Sequence, residues 1–115
     1  MANTFKVLTR DVAPASAGTP ETIYTVQTGS TLVVQSIFLT NVHTAQVDVT
    51  LQLVSTTTQT NQTQNTTAHF AKDVPIPAKS SLELNKINMN AGDILKVDAS
   101  VADKVSVVMN YMEIT

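Results

Sequence analysis

Strict alternation of apolar and polar residues across Gln46–Val54 limits what this chain can fold into more than any other feature. Val47, Val49, Leu51 and Leu53 fall on one side of an extended chain, and Gln46, Asp48, Thr50 and Gln52 on the other. A period of two fits a β-strand with one buried and one wet face, and it conflicts with the 3.6-residue period of a helix. Thr31–Asn41 is more continuously apolar, with Leu32, Val33, Val34, Ile37, Phe38 and Leu39, the pattern of a strand covered on both faces. An uncharged run so rich in strand formers is an aggregation hazard when left open, so the fold or a partner subunit must cover it.

Six further segments carry strand-like composition: Thr4–Arg10, Thr22–Gln27, Thr67–Asp73, Leu82–Leu84, Ile94–Ala99 and Val105–Ile114. No helical period intervenes between them. About eight short strands with Gly, Pro and Asn punctuation predict an all-β fold, a single-domain antiparallel β-sandwich over residues 1–115. A chain of 115 residues has the size of one domain. Jelly-roll-like and immunoglobulin-like topologies both fit that strand count.

The punctuation is specific in places. Pro14 and Pro20 bracket a loop after the first strand, and Val74-Pro75-Ile76-Pro77-Ala78 reads as an extended connector. Asn90-Ala91-Gly92-Asp93 reads as a turn in which the Asp93 carboxylate accepts backbone amides. Segment 55–67 is different in kind, since it consists only of Ser, Thr, Gln and Asn. It is long for a hairpin connection, where two to five residues are usual. It reads either as a polar tip or as a hairpin arm that orders against a neighbouring subunit. In the second case Thr56, Gln59, Asn61, Gln62, Gln64 and Asn65 are the candidate partner contacts.

Chemistry is sparse. Only 14% of residues are charged, and the net charge is −2. The seven basic residues are scattered, whereas a nucleic-acid site needs a clustered positive field, so nucleic acid is not expected as a partner. No apolar run exceeds three residues, and the N-terminal stretch lacks the apolar core of a secretion signal. No membrane segment is expected, and synthesis is expected in the cytoplasm. A surface of neutral polar residues suits packing against other neutral surfaces, because little charge has to be desolvated.

The two histidines, His43 and His69, do not suggest a metal site or a catalytic base. His69 and Asp73 are four residues apart, which in a strand separates them by roughly 13 Å, too far for one ion. His43 falls in the turn following Asn41. There is no cysteine, no phosphate-binding glycine loop and no nucleophile elbow. The expectation is therefore a non-enzyme with no catalytic residue, no cofactor and no metal. Phe5, Tyr24, Phe38, Phe70 and Tyr111 lie within strand runs and are expected in the core, as are Met89, Met109 and Met112, in the core or at an interface.

Several blocks taken in order carry a family likeness. Ile23-Tyr24-Thr25-Val26-Gln27-Thr28-Gly29 leads into the apolar strand ending Leu39-Thr40-Asn41. Lys72-Asp73-Val74-Pro75-Ile76-Pro77-Ala78, Ser81-Leu82-Glu83-Leu84 and Asn90-Ala91-Gly92-Asp93-Ile94-Leu95-Lys96-Val97 follow, and the chain closes on Val105–Ile114. This order resembles the small β-sandwich virion structural proteins of tailed bacteriophages, over roughly residues 22–54 and 68–115. The resemblance implies a capsid decoration (cement) protein or a neck or tail accessory subunit, located in the virion. It implies other virion proteins as partners, whether major capsid or tail and neck subunits, and a homo-oligomer such as a trimer or hexamer. Segment 55–67 is long for that group. The alternative is a receptor- or carbohydrate-binding module of a phage fibre or bacterial adhesin, against which the absence of Trp counts.

Overall fold

In the computed structural model, which describes residues 2–55 and 66–115, burial alternates along nearly every apolar segment, and that alternation builds two sheets. The described residues form eight strands: β1 (Asn3–Ala13), β2 (Glu21–Thr25), β3 (Thr31–Asn41), β4 (Val47–Val54), β5 (Thr67–Ile76), β6 (Ser81–Met89), β7 (Ile94–Ala99) and β8 (Val105–Ile114). No helix occurs among them. Sheet A has the order β1-β8-β3-β6 and sheet B the order β2-β7-β4-β5, with every pair antiparallel.

The pairs β1/β8, β2/β7, β3/β6 and β4/β5 nest one inside the next, as if a single long hairpin were rolled over into two layers. That is the strand order of a jelly roll, and it differs from the immunoglobulin-like arrangement that the sequence leaves equally open. The core lies between the layers. Leu32, Val34, Ile37 and Leu39 of β3 and Val105, Val107 and Met109 of β8 meet Val47, Val49 and Leu51 of β4 and Leu95 and Val97 of β7, all fully buried. Val47, Val49 and Leu51 lie inward as the alternation predicts, and Leu53 packs against the same cluster half-buried.

Two turns are fixed by side chains. Asn41, fully buried at the end of β3, donates from Nδ2 to the carbonyls of Ala45 and Ile76 at 2.9 Å and of Pro77 at 3.2 Å. Its Oδ1 accepts the His43 amide at 2.8 Å, so one amide side chain ties the β3–β4 turn to the end of β5. Asp93 accepts the Asn90 amide at 2.9 Å through Oδ2, and Gly92, at φ 88°, donates its own amide to Val26. The carboxylate turn expected from the sequence is therefore present.

Three expectations need correction. Val74–Ile76 is not a connector but the end of β5, where Pro75 sits opposite Asp48 on an edge strand that tolerates a missing N–H. The turn comes later, closed by the Ser80 amide on the Pro77 carbonyl. β6 is longer than Leu82–Leu84 because it continues through Lys86, at φ 62°, to Met89. The inward phase changes there from Leu82 and Leu84 to Ile87 and Met89, and β3 makes the matching change at Gln35, where its register with β8 shifts. A bulge in each of two neighbouring strands is what interrupts the alternation in sequence.

The third correction concerns β3 itself. It is central in sheet A, but only one of its faces is covered: Val33 and Phe38 lie half-exposed on the outer side. Its neighbours satisfy its backbone without covering that face. A test of the layer assignment follows from two adjacent residues of β4. Leu51→Ala is expected to destabilise the fold by about 2–5 kcal/mol through the cavity it leaves. Gln52→Ala, on the outer face, is expected to stay within about 0.5 kcal/mol, both read from urea denaturation. Equal losses at the two positions would contradict the assignment.

Candidate interaction surfaces

Because the strands alternate, each sheet presents a second face outward, and the two outer faces differ in chemistry. On sheet B, Asp48 and Thr50 of β4, Asp98 of β7 and Asp73 of β5 converge with Ser100, Ala17 and Gly18 around a cleft of about 380 Å³. Sheet register makes this grouping: Thr50 is opposite Asp98, and Asp73, at φ 50°, sits in a bulge of β5 beside Thr50. Each carboxylate already has a local donor. Thr50 Oγ1 donates to Asp73 at 3.4 Å, Gln46 Nε2 to Asp48 at 3.2 Å, and the Ala99 amide to Asp98 at 2.8 Å. Among the described residues no three His, Cys, Asp or Glu side chains are placed to hold a metal ion. The cleft is an anionic, hydroxyl-lined depression, which repels phosphate and offers hydrogen bonds to polar groups.

The seam between β1 and β2 is built from paired charge, with Glu113 buried and Lys6, Arg10 and Glu21 partly exposed. Glu113 of β8 points into it and accepts Lys6 Nζ at 2.9 Å through one carboxylate oxygen and the Tyr24 hydroxyl at 3.2 Å through the other. Tyr24 and Tyr111 lie beside each other with ring centres 5.5 Å apart at 45°. Arg10 pairs with Glu21 across the same opening, and Glu21 also accepts the Ala15 amide. The Lys6 hydrogen bond, opposed by burial, holds the Glu113 carboxyl below its usual range, and the same hydrogen bond raises the Lys6 ammonium. Burial first, and the bond to Glu113 second, pushes the Tyr24 hydroxyl up to about 12.

These charges fix the orientation of β1. Pairing of Lys6 with Tyr111 and of Arg10 with Val107 turns both basic side chains to the inner side. The same register pairs Phe5 with Met112 and Val7 with Asn110 on the outer side. Phe5 is 70% exposed and Val7 60% exposed, which reverses the core placement expected for Phe5. Phe70 on β5, at 41%, is exposed as well, and Phe38 is half-exposed. Tyr111, Met89 and Met109 are buried, Tyr24 packs half-buried against the core, and Met112 is half-buried on the outer face.

The outer face of sheet A is consequently uncharged at its centre, with apolar residues on either side of Asn110 of β8, which donates to Ser36 Oγ of β3 at 2.9 Å. Phe5 and Val7 adjoin Met112, Val108 and Ile114 of β8, and these adjoin Val33 and Phe38 of β3. Charged side chains lie only at its margins, Asp11 at the end of β1 and Glu83 and Lys86 on β6. The sequence signal for this face is the loss of alternation in β3 and at Val107–Met109 of β8. The acidic cleft has no such signal, because Asp48, Asp73 and Asp98 are brought together by register alone.

The partner contacts expected at Thr56, Gln59, Asn61, Gln62, Gln64 and Asn65 lie outside the described residues. His43 sits in the β3–β4 turn, and His69 lies on β5 beside Gln52, 3.4 Å from its Nε2, so the two histidines are on different elements.

The seam makes stability depend on pH in a defined direction. Since the folded protein holds Glu113 below the ordinary value of 4.5, its contribution is present above that range and is lost as pH falls through the lowered value. Glu113→Gln should melt lower than wild type at pH 7 and lose less on acidification from about pH 5 to about pH 3. Parallel melting curves for the two proteins across that window would contradict the seam assignment. Comparison of the chain with protein-family models and with curated proteins finds no match, so the reading of these surfaces rests on their own geometry.

Proposed function

We propose that this chain is a non-enzymatic structural subunit of a bacteriophage virion, a capsid decoration (cement) protein or a neck or tail accessory protein, acting through protein–protein contacts. The observation that carries this reading is the outward turn of Phe5 and Val7 on β1, while Lys6 and Arg10 flank Leu8 on the strand's inner side. A strand of a free-standing domain gains most by burying its large apolar residues, so one that leaves Phe5 and Val7 in solvent favours a protein that meets another surface. Low overall charge supports the same reading, since neutral faces pack without desolvating ions. The jelly-roll order adds an argument by fold analogy alone, because viral capsid domains use this architecture, as do lectins and cupins.

Partners in this reading are other virion proteins and further copies of the chain, with no cofactor, metal or nucleic acid involved. Repeated copies are expected in a closed symmetric arrangement, with a trimer or hexamer as the forms that suit a decoration role. A second reading, a receptor- or carbohydrate-binding module, is favoured by the cleft on sheet B, where Asp48, Asp73, Asp98, Thr50 and Ser100 could accept and donate hydrogen bonds to sugar hydroxyls.

Mass spectrometry of purified particles from the source, with heads and tails separated, tests the first reading. The chain is expected in one fraction, at a copy number that matches a symmetry of that assembly. Absence from every particle fraction, together with saturable retention on a glycan array, would overturn it in favour of the second.

A further inference from the structure

The outer face of sheet A has the size and composition of an interface. Its strands are 9 to 11 residues long. At about 3.3 Å per residue and about 4.8 Å between strands, four of them present roughly 600 Å² in projection. Two such faces bring roughly 1,200 Å² together, above the ~1,000 Å² that a specific protein–protein contact needs. Phe5, Met112 and Val33 form one apolar row and Val108 and Phe38 another, and the row between them, Val7, Asn110, Ser36 and Asn85, carries hydrogen-bonding groups but no charge, the mixture found at docking surfaces.

We propose that this face docks a second copy of the same chain, face to face about a two-fold axis. A two-fold contact sets a surface against itself, so any set of like charges on it repels. Sheet B meets that condition less well, because an axis through its cleft would set Asp48, Asp73 and Asp98 against their equivalents. Sheet A meets it, since its centre carries no charge. A strongly basic partner would instead be drawn to sheet B, which makes the neutral face the place for self-contact. Edge-to-edge pairing through β1 is disfavoured by the two basic side chains on its inner side, Lys6 and Arg10, which are held by Glu113 and Glu21 at the open seam.

In the dimer, Phe5 and Val7 of each copy cover the half-exposed Val33, Phe38, Val108 and Met112 of the other. The register leaves Phe5 beside Met112 and Val33 in one row, and Thr9 beside Val108 and Phe38 in another. Two such corrugated rows interdigitate as sheets do in a sandwich core. This contact takes from the proposed function only the expectation of repeated copies. It gives a dimer, or the two-fold axes of a dihedral hexamer, but not an isolated trimer.

Sedimentation of the full chain at about 100 μM, above the Kd range usual for interfaces of this size, tests it. The expected mass is an even multiple of the 12.3 kDa chain. Phe5→Asp and Val108→Asp are each expected to raise the dissociation constant by about 30-fold or more while leaving the circular dichroism unchanged. Thr22→Asp, on the outer face of sheet B, should leave it unaltered. Should Val108→Asp disturb folding, Phe5→Asp remains decisive, because that side chain is largely in solvent. A monomer at this concentration, a trimer, or a dimer that survives Phe5→Asp would each overturn the inference. A monomer that is nonetheless found in particles overturns this contact alone and leaves the structural-subunit reading standing.

Discussion

Burial of one face of each sheet against the other is the constraint from which the rest of the molecule follows. β3 and β8 supply one wall and β4 and β7 the other, and between them they contain most of the fully buried side chains. At about 25 cal/mol per Å² of apolar surface removed from water, this layer is the main stabilising term. It also fixes the register of the outer strands, since each must pair with a central strand whose phase is already set. β1 has no choice once β8 is placed: its inner residues fall against Tyr111, Met109 and Val107. The consequence is that Lys6 and Arg10 lie in the seam and Phe5 and Val7 face out.

The seam and the outer face are two results of that single register. A strand with Lys6 and Arg10 on its inner side is tolerable only where carboxylates meet them, and Glu113 and Glu21 do so at the open end of the sandwich. Removing Lys6 would leave the buried Glu113 carboxylate without its cation, which is worse than having neither partner. The same arrangement prevents a one-residue slip of β1, which would place Phe5 and Val7 inward but carry both cations into solvent-facing positions away from their acids. Charge therefore specifies a register in which Phe5 and Val7 of β1 face outward. The acidic cleft of sheet B has the opposite character, since Asp48, Asp73 and Asp98 gather like charges there.

Much of this was legible in the sequence, element by element. The alternation of Gln46–Val54 placed β4 and its buried side correctly, and Asn90–Asp93 announced its turn through an Asp and a Gly at the right spacing. The count of eight strands also followed from punctuation. What the sequence hid were features set by pairing between distant segments. Jelly-roll order depends on which strand lies beside which, and no local pattern records that. Phe5 looked like a core residue because its strand alternates either way, and only the pairing with β8 decides which half faces inward. Pro75 suggested a connector because an edge position, where Pro is harmless, cannot be told from a loop by composition.

The central claim is that the neutral outer face of sheet A is covered by another copy of the chain. Hydroxyl-radical footprinting across a concentration series reads that face directly. The account predicts that Phe5 and Met112 lose reactivity as concentration rises through the dimerisation range, while Phe70, on sheet B, keeps it. Labelling of Phe5 and Met112 that stays constant at every concentration would contradict it.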